Sequence, residues 1–235
     1  MELDHRLGNC AQEANGLVNL GAGYVFLGMY KQARSLLEQA RDINEALGAR
    51  RILVYSLGNL GDLYLETGDL RKARQLFEQA LHATAPSQDV RGKHWLYNKM
   101  GLGLLAMSDA PASARSLDEA LQCGRQIDAT AYFCDAPAGL AACALAQGKL
   151  DEARQYAHEV WGYIKEHGYM HLNSPGGISR IIVEPFDALG ETEDLEAVLA
   201  SAHQALLELA EKIDMPEWRQ SFLENVPENR AIMEM

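Results

Sequence analysis

The chain has 235 residues, 48% of them apolar, and a formal net charge of −12 from 33 acidic and 21 basic side chains. Its length and apolar content suffice for a substantial core in one or two domains. The acidic balance would repel phosphate backbones, which argues against direct nucleic-acid binding, and no apolar run reaches the roughly 18 residues of a membrane span.

The first residues, Met1-Glu2-Leu3-Asp4, have neither the basic nor the apolar region of a secretory leader, so a cytoplasmic location is expected. Cys10, Cys123, Cys134 and Cys143 form no CxxC pair. The helical pattern sets the last three among apolar or small neighbours, which reads as buried free thiols.

In chain order, residues 1 to 8 align with residues 41 to 48: Leu3 matches Ile43, Leu7 matches Leu47 and Gly8 matches Gly48. Residues 1–9 therefore read as the remnant of a preceding repeat helix, either a piece of a longer array or a half-unit cap. Residues 10–168 hold four units with a period of 40. The clearest runs from residue 50 to 81, where Leu60-Gly61 and Tyr64 mark one helix, Gly68-Asp69-Leu70 a turn, and Ala73, Phe77 and Ala80 a second helix.

Forty residues earlier the same marks are Leu20-Gly21, Tyr24, Gly28, Tyr30, Ala33, Leu37 and Ala40. Forty later they are Met100-Gly101, Leu104, Ser108, Ala110, Ser113, Leu117 and Ala120, and after another forty Leu140-Ala141, Ala144, Gly148, Leu150, Ala153, Ala157 and Val160. With each unit counted from residues 14, 54, 94 and 134, Gly or Ala at the eighth position and a small residue at the twentieth let two antiparallel helices approach closely. The residue at the twenty-fourth fills the space behind, and one such pair cannot bury its apolar face alone, so units must stack.

Asp89 is a candidate N-cap after a break at Pro86. The third turn, Ser108-Asp109-Ala110-Pro111, lacks the usual glycine and lets Pro111 occupy a first helical turn. Residues 169–213 read as an irregular fifth hairpin: Asn173-Ser174-Pro175-Gly176-Gly177 as a loop, Pro185 as an interruption, and 194 to 213 as a long second helix. Residues 214–235 read as a capping helix, with Trp218 and Phe222 as its apolar stripe, and a short tail.

These residues resemble the tetratricopeptide repeat, at a longer period than the family's usual 34 residues. The longer unit is similar to the variant repeats of bacterial signal-transduction NTPases and of some animal adaptor scaffolds, and the tail SFLENVPENRAI resembles the carboxyl-terminal end of many large bacterial proteins in which an NTPase or cyclase module precedes a repeat array. The resemblance implies an all-α, right-handed superhelical solenoid of about five helix hairpins with a C-terminal capping helix. It also implies a non-catalytic scaffold, the sensor arm of a larger bacterial regulator, that binds a peptide or helix along the concave wall made by the first helix of each pair.

On that wall the candidate partner-binding residues are Asn15, Asn19, Phe26, Tyr55, Asn59, Asp62, Glu66, Trp95, Asn98 and Lys99. Tyr55 and Trp95 share one register, either as aromatic anchors or as packing between adjacent helices; Asn19, Asn59 and Lys99 form a second ladder. The family's carboxylate clamp is only partly matched, since Phe26 and Glu66 depart from it. Ala22, Asp62, Leu102 and Ala142 make a ladder at the ninth position.

Other readings are a small-molecule sensor and a homo-oligomer joined through open solenoid ends. No cofactor is expected: the 174–177 segment lacks the lysine and strand of a phosphate loop, and no nucleophile and base pair stands apart from the repeat. His167 and His171 have metal-ligand spacing without a third partner.

Overall fold

The computed structural model describes residues 2–84, 89–127, 134–169, 172 and 174–235, with side chains from residue 9 onward. Among these residues all regular structure is helical, and it forms an all-α repeat solenoid of five antiparallel hairpins followed by two short helices.

The hairpins are α1 (Glu2–Phe26) with α2 (Tyr30–Leu47), α3 (Arg50–Glu66) with α4 (Leu70–Thr84), α5 (Val90–Ala106) with α6 (Ala110–Ile127), α7 (Asp135–Ala146) with α8 (Leu150–His167), and α9 (Pro175–Leu189) with α10 (Thr192–Glu211). The two short helices are α11 (Pro216–Glu224) and α12 (Pro227–Glu234). Each odd-numbered helix from α1 to α7 also contacts the next odd-numbered one, so these helices form one continuous wall.

The packing rule shows in the contacts. A Cβ added to Gly21 would lie 2.6 Å from Leu37, one on Gly61 2.5 Å from Phe77, and one on Gly101 2.5 Å from Leu117. Each pair joins the eighth position to the twenty-fourth. In the fourth unit both positions are alanine, Ala141 and Ala157, and both are fully buried.

The turns after α1, α3 and α7 place Gly28, Gly68 and Gly148 at φ of 69°, 84° and 73°. Ser108 takes the same conformation, φ 61°, after α5. A side chain there crowds the backbone, which is why glycine stands at the other turns. Asp89 caps α5 by accepting from Gly92 N at 3.0 Å.

Several expectations change. Residues 2–9 continue into α1 without a break. Pro175, Gly176 and Gly177 are the first turn of α9, with Ser174 as N-cap accepting from Gly177 N at 3.1 Å, and not a loop; Asn173 lies outside the described residues. Pro185 lies inside α9 without ending it: it removes one ladder bond, while Ile178, Ile182 and Phe186 bury on either side of it. The tail beyond Pro227 is a helix.

The largest correction concerns the end of the chain. Phe222 stacks on Phe26 at 5.0 Å between ring centroids, and Trp218 meets Tyr24 edge-on at 5.9 Å. Tyr30 Oη donates to Asn225 O at 3.3 Å, and Leu27 packs against the cluster of Leu206, Phe222 and Ile232. The last helices therefore cover their own final hairpin and also close onto the first one. No helix of the described residues is long and apolar enough to cross a membrane. Cys123, Cys134 and Cys143 are buried and unbridged, and Cys10 is exposed.

Candidate functional site

Closure converts the concave wall into a chamber of about 600 Å³. From α1 it receives Ala22, Val25 and Phe26; from α3 Asn59, Asp62, Leu65 and Glu66; from α5 Trp95, Lys99, Leu102, Leu105 and Ala106. Asp135 and Ala142 of α7, Ile178, Arg180, Ile181 and Glu184 of α9, and Val226, Glu228 and Asn229 at the start of α12 complete it. The repeat explains the first three walls, because the ninth, twelfth and thirteenth positions fall on one helical stripe facing inward. All four residues of the ninth-position ladder line the chamber.

Of the sequence candidates, Phe26, Asn59, Asp62, Glu66, Trp95 and Lys99 line it, and Asn15, Asn19, Tyr55 and Asn98 do not. Asn15 and Asn19 are exposed farther up α1, above the part of that helix that reaches the chamber. Tyr55 stacks on Trp95 at 5.0 Å and 49°, the inter-helix packing arrangement, while Trp95 reaches the chamber and also abuts Gly58. Asn98 turns into the core at 2% exposure. There its Nδ2 donates to His94 Nε2 at 3.3 Å, and His94 Nδ1 donates to the Ala120 carbonyl at 2.8 Å.

Arg180, Glu184, Glu228 and Asn229 were not among the candidates, because α9 and α12 follow no repeat register that would place them. Glu228 stands in the first turn of α12, where a helix N-terminus favours an anion, and Glu66 ends α3, where the helix dipole disfavours one.

The electrostatics follow from crowding of carboxylates. Lys99 Nζ lies 2.7 Å from Asp62 Oδ2. Burial alone would lower the Lys99 pKa, but Asp62, then Asp135 and Glu66, hold it above its ordinary value. The Glu66 carboxyl is pushed up to about 8, by burial first and then by Glu228 and Asp62, with Lys99 opposing. Its Oε2 is shut off from solvent and has no hydrogen-bond partner, an environment that favours the protonated form of Glu66. Tyr30 is raised by burial and by the same two glutamates.

Away from the chamber, His158, Glu191 and Asp194 bring three ligand-type atoms within 4.8 Å of one another. Arg154 Nε lies 2.7 Å from Glu191 Oε1 and Trp161 Nε1 donates to Asp194 at 2.9 Å, so these carboxylates already tie α8 to α10. His167 packs on Tyr163, and His171 lies outside the described residues.

The chain matches the family described as MalT-like TPR region over residues 10–223. Its fold is similar to that of a Rap protein complexed with competence and sporulation factor, with a TM-score of 0.63 and 16% identity over 95% of this chain and 64% of that one. The chain thus spans just under two thirds of that protein's length. It is also similar to a putative kinesin light chain of Podosopora anserina with nearly identical TPR-like repeats, at a TM-score of 0.58 and 16% identity over 83% and 94% of the two chains. PilF of Pseudomonas aeruginosa gives 0.57 and 16% over 95% and 98%. Comparison with curated proteins finds no match. The repeat fold is typical of protein–protein interaction scaffolds. With a match that spans most of its length, the chain belongs to the MalT-like TPR region family.

Proposed function

We propose that this chain is a non-catalytic recognition module that takes a short segment of a partner polypeptide into the chamber, as the sensing arm of a larger regulator. The observation that carries this reading is the chamber itself, about 600 Å³ in volume, with its walls drawn from five stacked hairpins and α12. An occupant touching both α3 and α12 bears on the closure, which gives ligand binding a mechanical readout. The family match and the Rap protein, a solenoid of this fold seen in complex with another molecule, support the reading.

Size restricts the occupant. One turn of helix, about 5.4 Å long and 10–12 Å wide, fills roughly 500 Å³, so the chamber suits about a turn's worth of peptide and not a helix running through. A small molecule is the second reading, because α12 encloses the wall and the volume falls in the usual range of roughly 300–1,000 Å³ for small-ligand sites.

The test is selection of binders from a random heptapeptide display library with the full chain, followed by hydrogen-exchange footprinting of the complex. Protection of residues 59–66, 95–106 and 175–184, and at least tenfold weaker binding on Trp95→Ala, are expected. Protection confined to the even-numbered helices would overturn the proposal, and displacement of the peptides by metabolite pools would move it to the second reading.

A further inference from the structure

Resting on the chamber reading, the charge of its walls narrows the occupant. Five carboxylates face the chamber, Asp62, Glu66, Asp135, Glu184 and Glu228, against two cations, Lys99 and Arg180. Lys99 is already engaged by Asp62 at 2.7 Å. Arg180 is exposed and stands on α9 one helical turn before Glu184, which is exposed as well. Asp135 of α7 acts on Lys99 as well, while Glu66 of α3 and Glu228 of α12 act on each other across the seam between the first hairpins and the last helix.

We propose that the chamber selects a peptide carrying a lysine or arginine, whose cationic nitrogen is seated between Glu66 and Glu228. Two ionised carboxylates at such a seam repel each other, and a proton on Glu66 removes the repulsion. A cation does the same work while forming a charge-assisted hydrogen bond to each carboxylate. The step is an exchange of one cation for another: the ligand nitrogen enters charged and keeps its protons, while the O–H of protonated Glu66 ionises and its proton passes to the buffer.

The neighbouring walls suit the rest of such a side chain. Phe26, Ile178 and Val226 are apolar, so the methylene stem of lysine or arginine packs on them while its head reaches the carboxylates. The titratable groups that face Glu66 are Tyr30 from α2, Asp62 from its own helix, Lys99 from α5 and Glu228 from α12, and Arg230 of α12 adds a cation that acts on Tyr30 at the same seam. Lys99 weakens the site's pull on a cation but is held by Asp62. Raising the pH from 6 to 9 removes the competing proton while the ligand lysine stays charged, so affinity rises over that range.

The experiment is calorimetric titration of the full chain at pH 7 with capped Ala-X-Ala tripeptides, X being lysine, norleucine or glutamate, in two buffers of different ionisation enthalpy. The lysine peptide is expected to bind at least tenfold more tightly than the norleucine peptide and to release a fraction of a proton. Glu66→Gln, a neutral isostere of the protonated acid checked for folding by circular dichroism, should abolish both effects, and Glu228→Gln provides the same test from α12. Norleucine or glutamate peptides binding as well as lysine would overturn the cation inference while leaving the chamber reading intact. Binding by none of the three would overturn the cation inference, the chamber reading being decided separately by the heptapeptide selection, and n-butylamine, titrated alongside, binding as tightly as the lysine peptide would overturn the peptide source.

Discussion

Phe26 and Phe222 lie 196 positions apart in the sequence and stack at 5.0 Å with their planes inclined by 34°. One ends the first helix of the first hairpin and the other lies in the penultimate helix of the chain, so this contact is where the solenoid closes. Phe222 is 1% exposed and Phe26 41%, which makes Phe222 the embedded partner.

Phe222→Ala should destabilise the protein by about 3–4 kcal/mol, whereas Phe26→Ala, at a half-open position, should cost roughly 1 kcal/mol. Urea unfolding of the two variants checks this. Equal losses would mean that the closure does not bury Phe222 as described.

At the Gly61 and Phe77 contact, Gly61→Ala should cost about 1–3 kcal/mol, since the new methyl meets a fully buried ring. Adding Phe77→Leu should recover part of that loss, because the third hairpin already pairs leucine with Gly101 at the same positions. A double-mutant cycle measures the coupling; strict additivity would refute the packing rule.

Ser108→Gly should stabilise the third turn. The left-handed conformation at Ser108 costs about 1–2 kcal/mol for a side-chain-bearing residue, and the greater unfolded-state freedom of glycine offsets part of that gain. The net is about 0.5–1 kcal/mol, or roughly 1–4 °C in Tm for a chain of this length, measured by calorimetry.

Glu66 makes the closure sensitive to pH. Its carboxyl ionises near 8 in the fold against 4.5 ordinarily, so between those values the folded chain keeps a proton that the unfolded chain has released. Stability therefore falls as pH rises from about 4.5 to 8 and levels off above. The loss is on the order of 2 kcal/mol once screening by the open chamber is allowed for. Hydrogen exchange should show α11 and α12 opening first, and Glu66→Gln should flatten the slope between pH 5 and 8.

Buried thiols supply an independent check on the core. Burial, then Asp135 and Glu159, push the Cys134 thiol up to about 12, so at pH 7.5 a thiol reagent should modify exposed Cys10 rapidly and Cys134 only on unfolding. Mass spectrometry of the labelled chain reads this directly.

Much of the lining of the candidate chamber is legible in the sequence because the repeat carries register. Once Gly21, Gly61 and Gly101 are recognised as the positions where two helices touch, the inward stripe follows from helical geometry, and Asp62, Glu66 and Lys99 fall on it. Asn98 is the neighbour of Lys99 in sequence, but one step along a helix turns a side chain by about 100°, here into the core beside His94. Asn19 shares the register of Asn59, yet the chamber begins one turn farther along α1.

The 40-residue period, its glycine and large-residue pairs and its turns determined by themselves that this chain stacks helix hairpins into an all-α solenoid. Those are local matters, set by which side chains allow two neighbouring helices to approach. Only the tertiary structure decided that α11 and α12 return to the first hairpin, that Glu66 meets Glu228, and that the wall becomes a chamber. Closure depends on the small rotation from each hairpin to the next summed over five of them, and no spacing within one unit carries that sum.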